Sequence, residues 1–561
     1  MSGIVDFGDL THTALICDLA IALVSLMWRR PDPFEAAEAA ISGYRSVVPI
    51  EDAEADLLGD LVSARLLALV LIANWRVTRY PANADYITAN VGLAWNLLER
   101  FDAVGSSRVA RRLGAACLDG SPPPLAGRYP QTEELLERRR RVLGPALSPL
   151  SYEHPLHLVR GAGSWMFDSS GNRYLDAYNN VPVAGHSHPR VTQAIADQSR
   201  TLNTNTRYLH QSVIELAERI VATMPDGLDT VLFVNSGSEA NDVAWRLATA
   251  YTGAPGAIVT ENAYHGVTTA TFALSPEEWR EGELPAHVER VPAPDGFRGV
   301  YREESPDWAG RYAAHFDEAV VRMQRGGNNP AAFFVDSLFT SDGIFAPPPL
   351  YLQHGVEHVR QAGGLIVADE VQSGFGRTGV HMWSFQTAGI IPDLVTLGKP
   401  MGNGHPIAAV VIRAEIAERF ASSWDIFSTF GGNPVAARAG LAVLDVLDDE
   451  ALQERAGEVG SYLQEKLMAL MRHHASIGDV RGMGLMIGVE LVEHGQERRP
   501  HGRLTRAVMN SMKDKGVLVG STGPHDNVLK IRPPLVVRSA EADLIVKRLH
   551  ESLVDLAGAE S

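Results

Sequence analysis

Apolar residues recur three and four apart through the first part of the chain, as in "DLLGDLVSARLLALVLIANW", where leucine, valine and isoleucine trace one helical stripe. Residues 1–118 are therefore expected to be mostly helical. "DGSPPPLAGRYP" (119–130) breaks the pattern, because its prolines and glycines oppose regular structure, and marks a linker. "TEELLERRRRVLG" then reads as a short helix. Its four arginines could form a docking patch, although a solvated helix face is the simpler account.

From about residue 150 the period changes. "SWMFDSSGNRYLDAY" alternates on both sides of Ser-Ser-Gly-Asn and predicts a β-hairpin. Beyond 200, short apolar runs alternate with amphipathic helical patterns: "TVLFV" (230–234), "GAIVT" (256–260), "AAFFV" (331–335), "LIVAD" (365–369) and "LVTL" (394–397). Strands this apolar are covered on both faces, so the expected class is α/β with a mainly parallel sheet. From about 440, helices mix with "LMIGVELV" and "NVLKIRPPLVV", predicting a smaller α+β domain.

Composition changes this picture little. The 561 residues leave room for two or three domains, and a net charge of −17 argues against nucleic acid or an anionic membrane as the main partner. Cys17 and Cys117 are the only cysteines, so no disulfide framework is indicated and a reducing cytoplasm is expected. "LICDLAIALVSLMW" is interrupted by Asp18 and too short to span a bilayer. A buried helix is expected instead.

In parallel sheets, ligands bind beyond the carboxyl ends of the strands. That rule selects Ser236, Gly237 and Ser238 after "TVLFV", Tyr264 and His265 after "GAIVT", Asp369 to Gln372 at the end of "LIVAD", and Lys399 after "LVTL". The Ser-Gly-Ser turn opens a helix, where an N-cap and an anion site are both plausible readings. Asp369 ends a strand too apolar for a free carboxylate, so it needs a cation, either an arginine or a protonated heteroaromatic nitrogen. Lys399 stands alone among glycines and apolar runs; a desolvated lysine has a depressed pKa and can form a Schiff base with an aldehyde. One ligand satisfies all four features together: pyridoxal 5'-phosphate (PLP).

"NSGSEAN", "AYHG", "ADEVQSGFGRTG", "TLGKPMGNGHPIAAVV" and "STFGGNP" resemble the class III aminotransferases, an aspartate-aminotransferase-like fold with a seven-stranded large domain and a small α+β domain. The resemblance spans about 150–555, implying a large domain at about 201–435 and a small one from 150–200 and 436–555. It implies Lys399 as the Schiff-base lysine and proton shuttle, Asp369 on the ring nitrogen, and Gln372 near the ring hydroxyl. Tyr264 and Val371 would sandwich the ring with His265 beside it, and Ser236, Gly237 and Ser238 would hold the phosphate. Thr429 would reach that phosphate from a neighbouring subunit, implying a homodimer with shared sites. Within the class, "LNTNTRYLH", "WSFQTAGIIPDLVTLGKPMGNGHP" and "GPHDNVLKIRPPL" are most similar to phospho-lyases of ethanolamine phosphate and phosphohydroxylysine. Asn180, Arg207, Lys530 and Arg532 are the implied substrate residues. Many members carry arginine where this chain has Lys530, and Glu-Pro where it has Asp336-Ser.

The amino end is similar to the C-lobe of aminoglycoside- and choline-kinase-like phosphotransferases. The resemblance starts at Asp-Phe-Gly-Asp and would make Asp6 a magnesium ligand. The nucleotide lobe of that family lies upstream of this motif, so a truncated, kinase-inactive segment is expected. The leading expectation is a PLP-dependent transaminase acting between an amine and a keto or aldehyde acceptor. The alternative is elimination of phosphate from an amine phosphate, and a third is a non-catalytic kinase-like interaction module.

Overall fold

The computed structural model describes residues 15–28, 30, 32–45, 50, 52–117, 129–280, 282, 284–493 and 498–560. Asp6 and most of the expected linker lie outside these residues. The chain divides into two compact units, Met1–Tyr174 and Leu175–Ser561.

The first unit is helical, as its periodicity predicts, with helices Leu15–Met27, Pro33–Arg45, Asp52–Arg79, Val91–Val104 and Ser106–Cys117. Their apolar stripes meet in one core around Leu23, Leu58, Val62, Leu66 and Leu113. Helix Leu15–Met27 is the buried helix expected from its sequence, turning Leu19, Leu23 and Met27 into that core. No helix among the described residues is long and apolar enough to cross a membrane. Helix Thr132–Leu143 buries none of its residues, and Arg138 pairs with Glu134 at 3.5 Å, as a solvated face would. Strands β1 (Leu158–Ala162) and β2 (Trp165–Asp168) pair antiparallel, and β3 (Arg173–Asp176) follows after a tight turn. In that turn the Asp168 carboxylate accepts the N–H groups of Ser170 and Asn172 at 2.9 and 2.8 Å, which closes the predicted hairpin.

The second unit is built on seven strands: β4 (Thr230–Val234), β5 (Gly256–Thr260), β6 (Val288–Val291), β7 (Pro330–Val335), β8 (Leu365–Asp369), β9 (Leu394–Leu397) and β10 (Ala408–Ile412). They form one sheet in the order β4-β10-β9-β8-β7-β5-β6. The five strands expected from apolar runs are all present, with β6 and β10 in addition. Strands β6 to β5, β5 to β7, β7 to β8 and β8 to β9 pair parallel; β10 runs antiparallel to both β9 and β4. Antiparallel neighbours can be joined without a long crossover, so the β9–β10 connection is a short loop that begins with Gly398 and Lys399. That loop keeps Lys399 over the carboxyl edge of the sheet.

Helices cover the sheet, and every residue of β5, β7, β8, β9 and β10 is buried. This explains why those segments read as unbroken apolar runs. The carboxyl-terminal region supplies β11 (Ile477–Met483), β12 (Met486–Leu491), β13 (Val517–Leu518), β14 (Gly520–Thr522) and β15 (Val528–Ile531). Strands β11, β12, β15 and β14 make an antiparallel sheet, and β13 pairs parallel with Leu175 and Asp176. The last residue of β15 leads directly to Arg532.

Candidate active site

A cavity of about 320 Å³ opens at the carboxyl edge of the large sheet. The ends of β4, β5, β7, β8 and β9 supply its walls: Ser236, Gly237 and Ser238; Tyr264 and His265; Asp336; Asp369, Val371 and Gln372; and Lys399. Nine of the ten residues that the resemblance assigns to the cofactor therefore meet here. Only Thr429 does not; it is exposed on a separate loop.

Asp369 is the best-supported group in the cavity. Its Oδ2 accepts Asn241 Nδ2 at 2.8 Å and lies 2.7 Å from His265 Nδ1, while Oδ1 accepts the Val371 N–H at 3.1 Å. Burial pushes this carboxyl up, but the hydrogen bond and charge of His265, then Asn241 and Val371, outweigh it and hold Asp369 below the usual carboxylate range. The expected choice between an arginine and another cation is settled in part: no arginine reaches Asp369 among the described residues, and histidine, amide and backbone donors surround it.

The turn after β4 is the N-cap that its sequence offered, and it leaves backbone donors that would suit an anion. Ser236 caps helix Gly237–Thr252, its Oγ accepting Glu239 N–H at 3.2 Å, and Glu239 reaches back to the Asn235 N–H at 2.7 Å. With the cap engaged on Glu239, the N–H groups of Gly237 and Ser238 have no acceptor among the described residues and sit at the helix's positive end. Glycine is required here by space. A Cβ on Gly237 would lie 2.8 Å from Val371 Cγ1, and one on Gly398 would lie 3.3 Å from both Gly237 N and Val371 Cγ1. Three strand ends thus converge on one small patch of backbone.

The Lys399 side chain makes no hydrogen bond or ion pair among the described residues, and its backbone φ of +22° is unusual for a residue with a side chain. Such strain costs on the order of 1–3 kcal/mol and is concentrated at functional sites. Burial, then the charge of Arg532, bring its ammonium down to about 8, against a smaller pull from Asp369, Asp336 and Glu277. An amine in this state is a nucleophile near neutral pH.

The substrate-side candidates separate. Arg532 is buried beside the cavity, donating Nε to the Tyr178 carbonyl at 2.9 Å and Nη1 to Gln372 Oε1, and stacking 4.6 Å from the Tyr178 ring. Lys530 is buried too, with Nζ on the Thr340 carbonyl at 2.9 Å. Burial and Arg532 press its ammonium well down, more than Glu277 offsets. Asn180 is not among the residues lining the cavity; its amide donates to the carbonyl of Gln372, which does line it, at 3.0 Å. Arg207 is exposed and stacks 4.1 Å from the Phe427 ring, on the loop that also carries Thr429. Asp336, which stands where relatives often have glutamate, does line the cavity, and burial raises its carboxyl.

Sequence comparison decides the family. A profile described as "Aminotransferase class-III" matches residues 148–553. The chain belongs to this family. Its cofactor is pyridoxal 5'-phosphate, as in the class III aminotransferases and phospho-lyases it matches. The chain is 41% identical over 428 residues to a Drosophila melanogaster protein named alanine–glyoxylate aminotransferase 2-like, covering 75% of this chain and 87% of the relative. It is 40% identical over 418 residues to the Caenorhabditis elegans ethanolamine-phosphate phospho-lyase homolog 1, covering 72% and 89%. Among solved structures, a phospholyase from Arthrobacter in complex with phosphoethanolamine superposes with a TM-score of 0.73 at 42% identity, covering 75% of this chain and 99% of that one.

The residues present fit the cofactor. The Gly237 and Ser238 N–H groups could take its phosphate, Lys399 its aldehyde and Asp369 its ring nitrogen, with Tyr264 and Val371 available to the ring faces. Two residues of this site escape sequence reasoning. Asn241 lies within "NSGSEAN" and Thr396 within "LVTL", and each is a polar group in an otherwise apolar setting. That was the available signal; their partners, far off in the chain, were not visible.

Proposed function

We propose that this class III enzyme is a PLP-dependent lyase that eliminates phosphate from a small amine phosphate, of which ethanolamine phosphate is the simplest. The observation that carries this reading is the Lys530–Arg532 pair. Both cations are buried near Lys399, and their hydrogen bonds go to the Thr340 and Tyr178 carbonyls and to Gln372, all neutral acceptors. The carboxylates of Glu277 and Asp336 act on Lys530 through their charge, but neither makes an ion pair or hydrogen bond with Lys530 or Arg532 among the described residues. Buried cations compensated only in part are costly unless an anion completes them. Two of Arg532's donors are already engaged, and Lys530 is a point charge, so the pair lacks a free guanidinium fork for a planar carboxylate. A tetrahedral dianion suits it better.

When bound, PLP supplies an electron sink for the bond broken at the amine-bearing carbon. Asp369 would keep the ring nitrogen protonated, and Gln372, held by Asn180 and Arg532, would lie beside the ring hydroxyl. Lys399 would hold the cofactor, release it to substrate and move the proton at the carbon next to the amine. Lys530 and Arg532 would steady the departing phosphate. Thr429 and Arg207 would serve the site of a second copy in a homodimer. They share a surface with exposed Leu202, Tyr208, Leu209, Phe427 and Phe430, an apolar patch suited to burial against a partner.

Incubation with ethanolamine phosphate should release aldehyde, ammonia and inorganic phosphate in equal amounts. Rapid conversion of pyruvate to alanine from simple amines, with no phosphate released from any amine phosphate, would defeat the proposal. It would favour the second reading, a transaminase, which the 41% identity to an aminotransferase-named relative supports.

A further inference from the structure

Asn241 sits in the fifth position of helix Gly237–Thr252, 1% exposed. Asparagine is a poor helix residue, and a buried amide is costly unless its polar atoms are paired. Here they are. Nδ2 donates to the His265 carbonyl and to Asp369 Oδ2, both at 2.8 Å, and Oδ1 accepts the Thr396 hydroxyl at 2.8 Å. Thr396 is fully buried in β9, paired across the sheet with Asp369 itself. Neither leucine nor aspartate could replace this amide, since the position uses two donors and one acceptor at once.

Counting acceptor sites shows what the arrangement achieves. An ionised carboxylate offers about four lone-pair sites, two on each oxygen. On Asp369, Asn241 and His265 occupy both sites of Oδ2, and the Val371 N–H occupies one of Oδ1. One site remains, on Oδ1. Asn241 also holds the His265 carbonyl while Ser275 Oγ accepts the His265 N–H at 2.9 Å, so the histidine backbone is pinned on both sides.

We infer that Asn241 and Thr396 are positioning residues that saturate Oδ2 of Asp369 and leave Oδ1 as the single oxygen presented to the cofactor's ring nitrogen. The Thr396 hydroxyl fixes the amide with its NH2 group toward the carboxylate, and the amide fixes the carboxylate. The inference rests on the reading that Asp369 faces the ring nitrogen. Without Asn241, Oδ2 loses a donor, the carboxylate can turn, and the shared proton moves from the ring toward the aspartate.

The test loads wild type and variants with cofactor carrying 15N in the ring and records that resonance by NMR, alongside kcat and KM. Thr396→Val should move the resonance toward the unprotonated position and lower kcat about fivefold at unchanged KM, the size of one neutral hydrogen bond. Thr396→Ser should restore both. Asn241→Leu should move the resonance further and lower kcat about ten- to a hundredfold, as loss of a donor to a charged group does. Should Asn241→Leu fail to fold, the threonine pair still decides. Wild-type resonances in Thr396→Val and Asn241→Leu, beside a displaced one in Asp369→Asn, would overturn the inference and leave Asp369 in place. An unmoved resonance in Asp369→Asn would overturn the reading beneath it as well.

Discussion

The two ends of the cavity are satisfied in opposite ways. At the cofactor end, Asp369 receives histidine, asparagine and backbone donors, and Asn241 is paired in turn by Thr396. At the end proposed for the substrate, Lys530 and Arg532 are buried as deeply, but among the described residues their hydrogen bonds go only to carbonyls and Gln372. The contrast separates two tasks. A group that must hold one protonation state through every turnover is paired inside the chain. On the proposed reading, a group that receives a transient anion makes no ion pair inside the chain before that anion arrives, at a cost to stability.

Breaking the cofactor end should have the largest effect. Lys399→Ala should remove proton transfer, worth about 10²–10⁴-fold by itself. The variant should stay soluble and still take up PLP through the Gly237–Ser238 end, without the borohydride-reducible linkage. Near-normal turnover in that variant would remove Lys399 from the chemistry. Asp369→Asn should cost about 10²–10³-fold, on the scale of losing one preorganised electrostatic partner, with little change in KM for any amine.

Breaking the substrate end should be selective. Lys530→Met, close in shape and uncharged, should weaken use of amine phosphates by about 2–5 kcal/mol in kcat/KM, the range for one member of a buried charge pair. Simple amines should change by less than about tenfold. Equal losses on both classes would make Lys530 a packing residue and erase the contrast between the two ends.

The smallest effect sharpens the comparison through pH. Burial and Arg532 bring the Lys399 amine to about 8, and the neutral amine is the form that captures an aldehyde. Uptake of PLP by the cofactor-free protein should therefore rise about tenfold per pH unit below 8 and level off above it. Lys530 is depressed by the same causes, so affinity for an anionic substrate should fall as pH rises. Opposite slopes for cofactor capture and anion binding are the expected signature. A capture rate still climbing between pH 9 and 10 would show an ordinary lysine at 399.

The strand pattern carried a large part of this site. Apolar runs located β4, β5, β7, β8 and β9, and the carboxyl-edge rule then named Ser236, Tyr264, Asp369 and Lys399 without any knowledge of their partners. This works because backbone period and strand direction are local properties, so the residue after each parallel strand shares an edge with the others wherever the sheet lies. The same periodicity located the helices of the first unit, yet it is silent on what that unit does, since an amphipathic stripe specifies burial and no chemistry.

Tertiary structure decided the rest. Asn241 meets Asp369 across 128 residues and Thr396 across 155, and Arg532 meets Gln372 across 160. The Asn180 amide meets the Gln372 carbonyl across 192 residues, and Arg207 is turned to the surface onto Phe427. A side chain's type states which hydrogen bonds it can make, and its neighbours in the chain fix its local direction. Which donor or acceptor completes it depends on the packing of segments more than a hundred residues apart, and no local pattern encodes that.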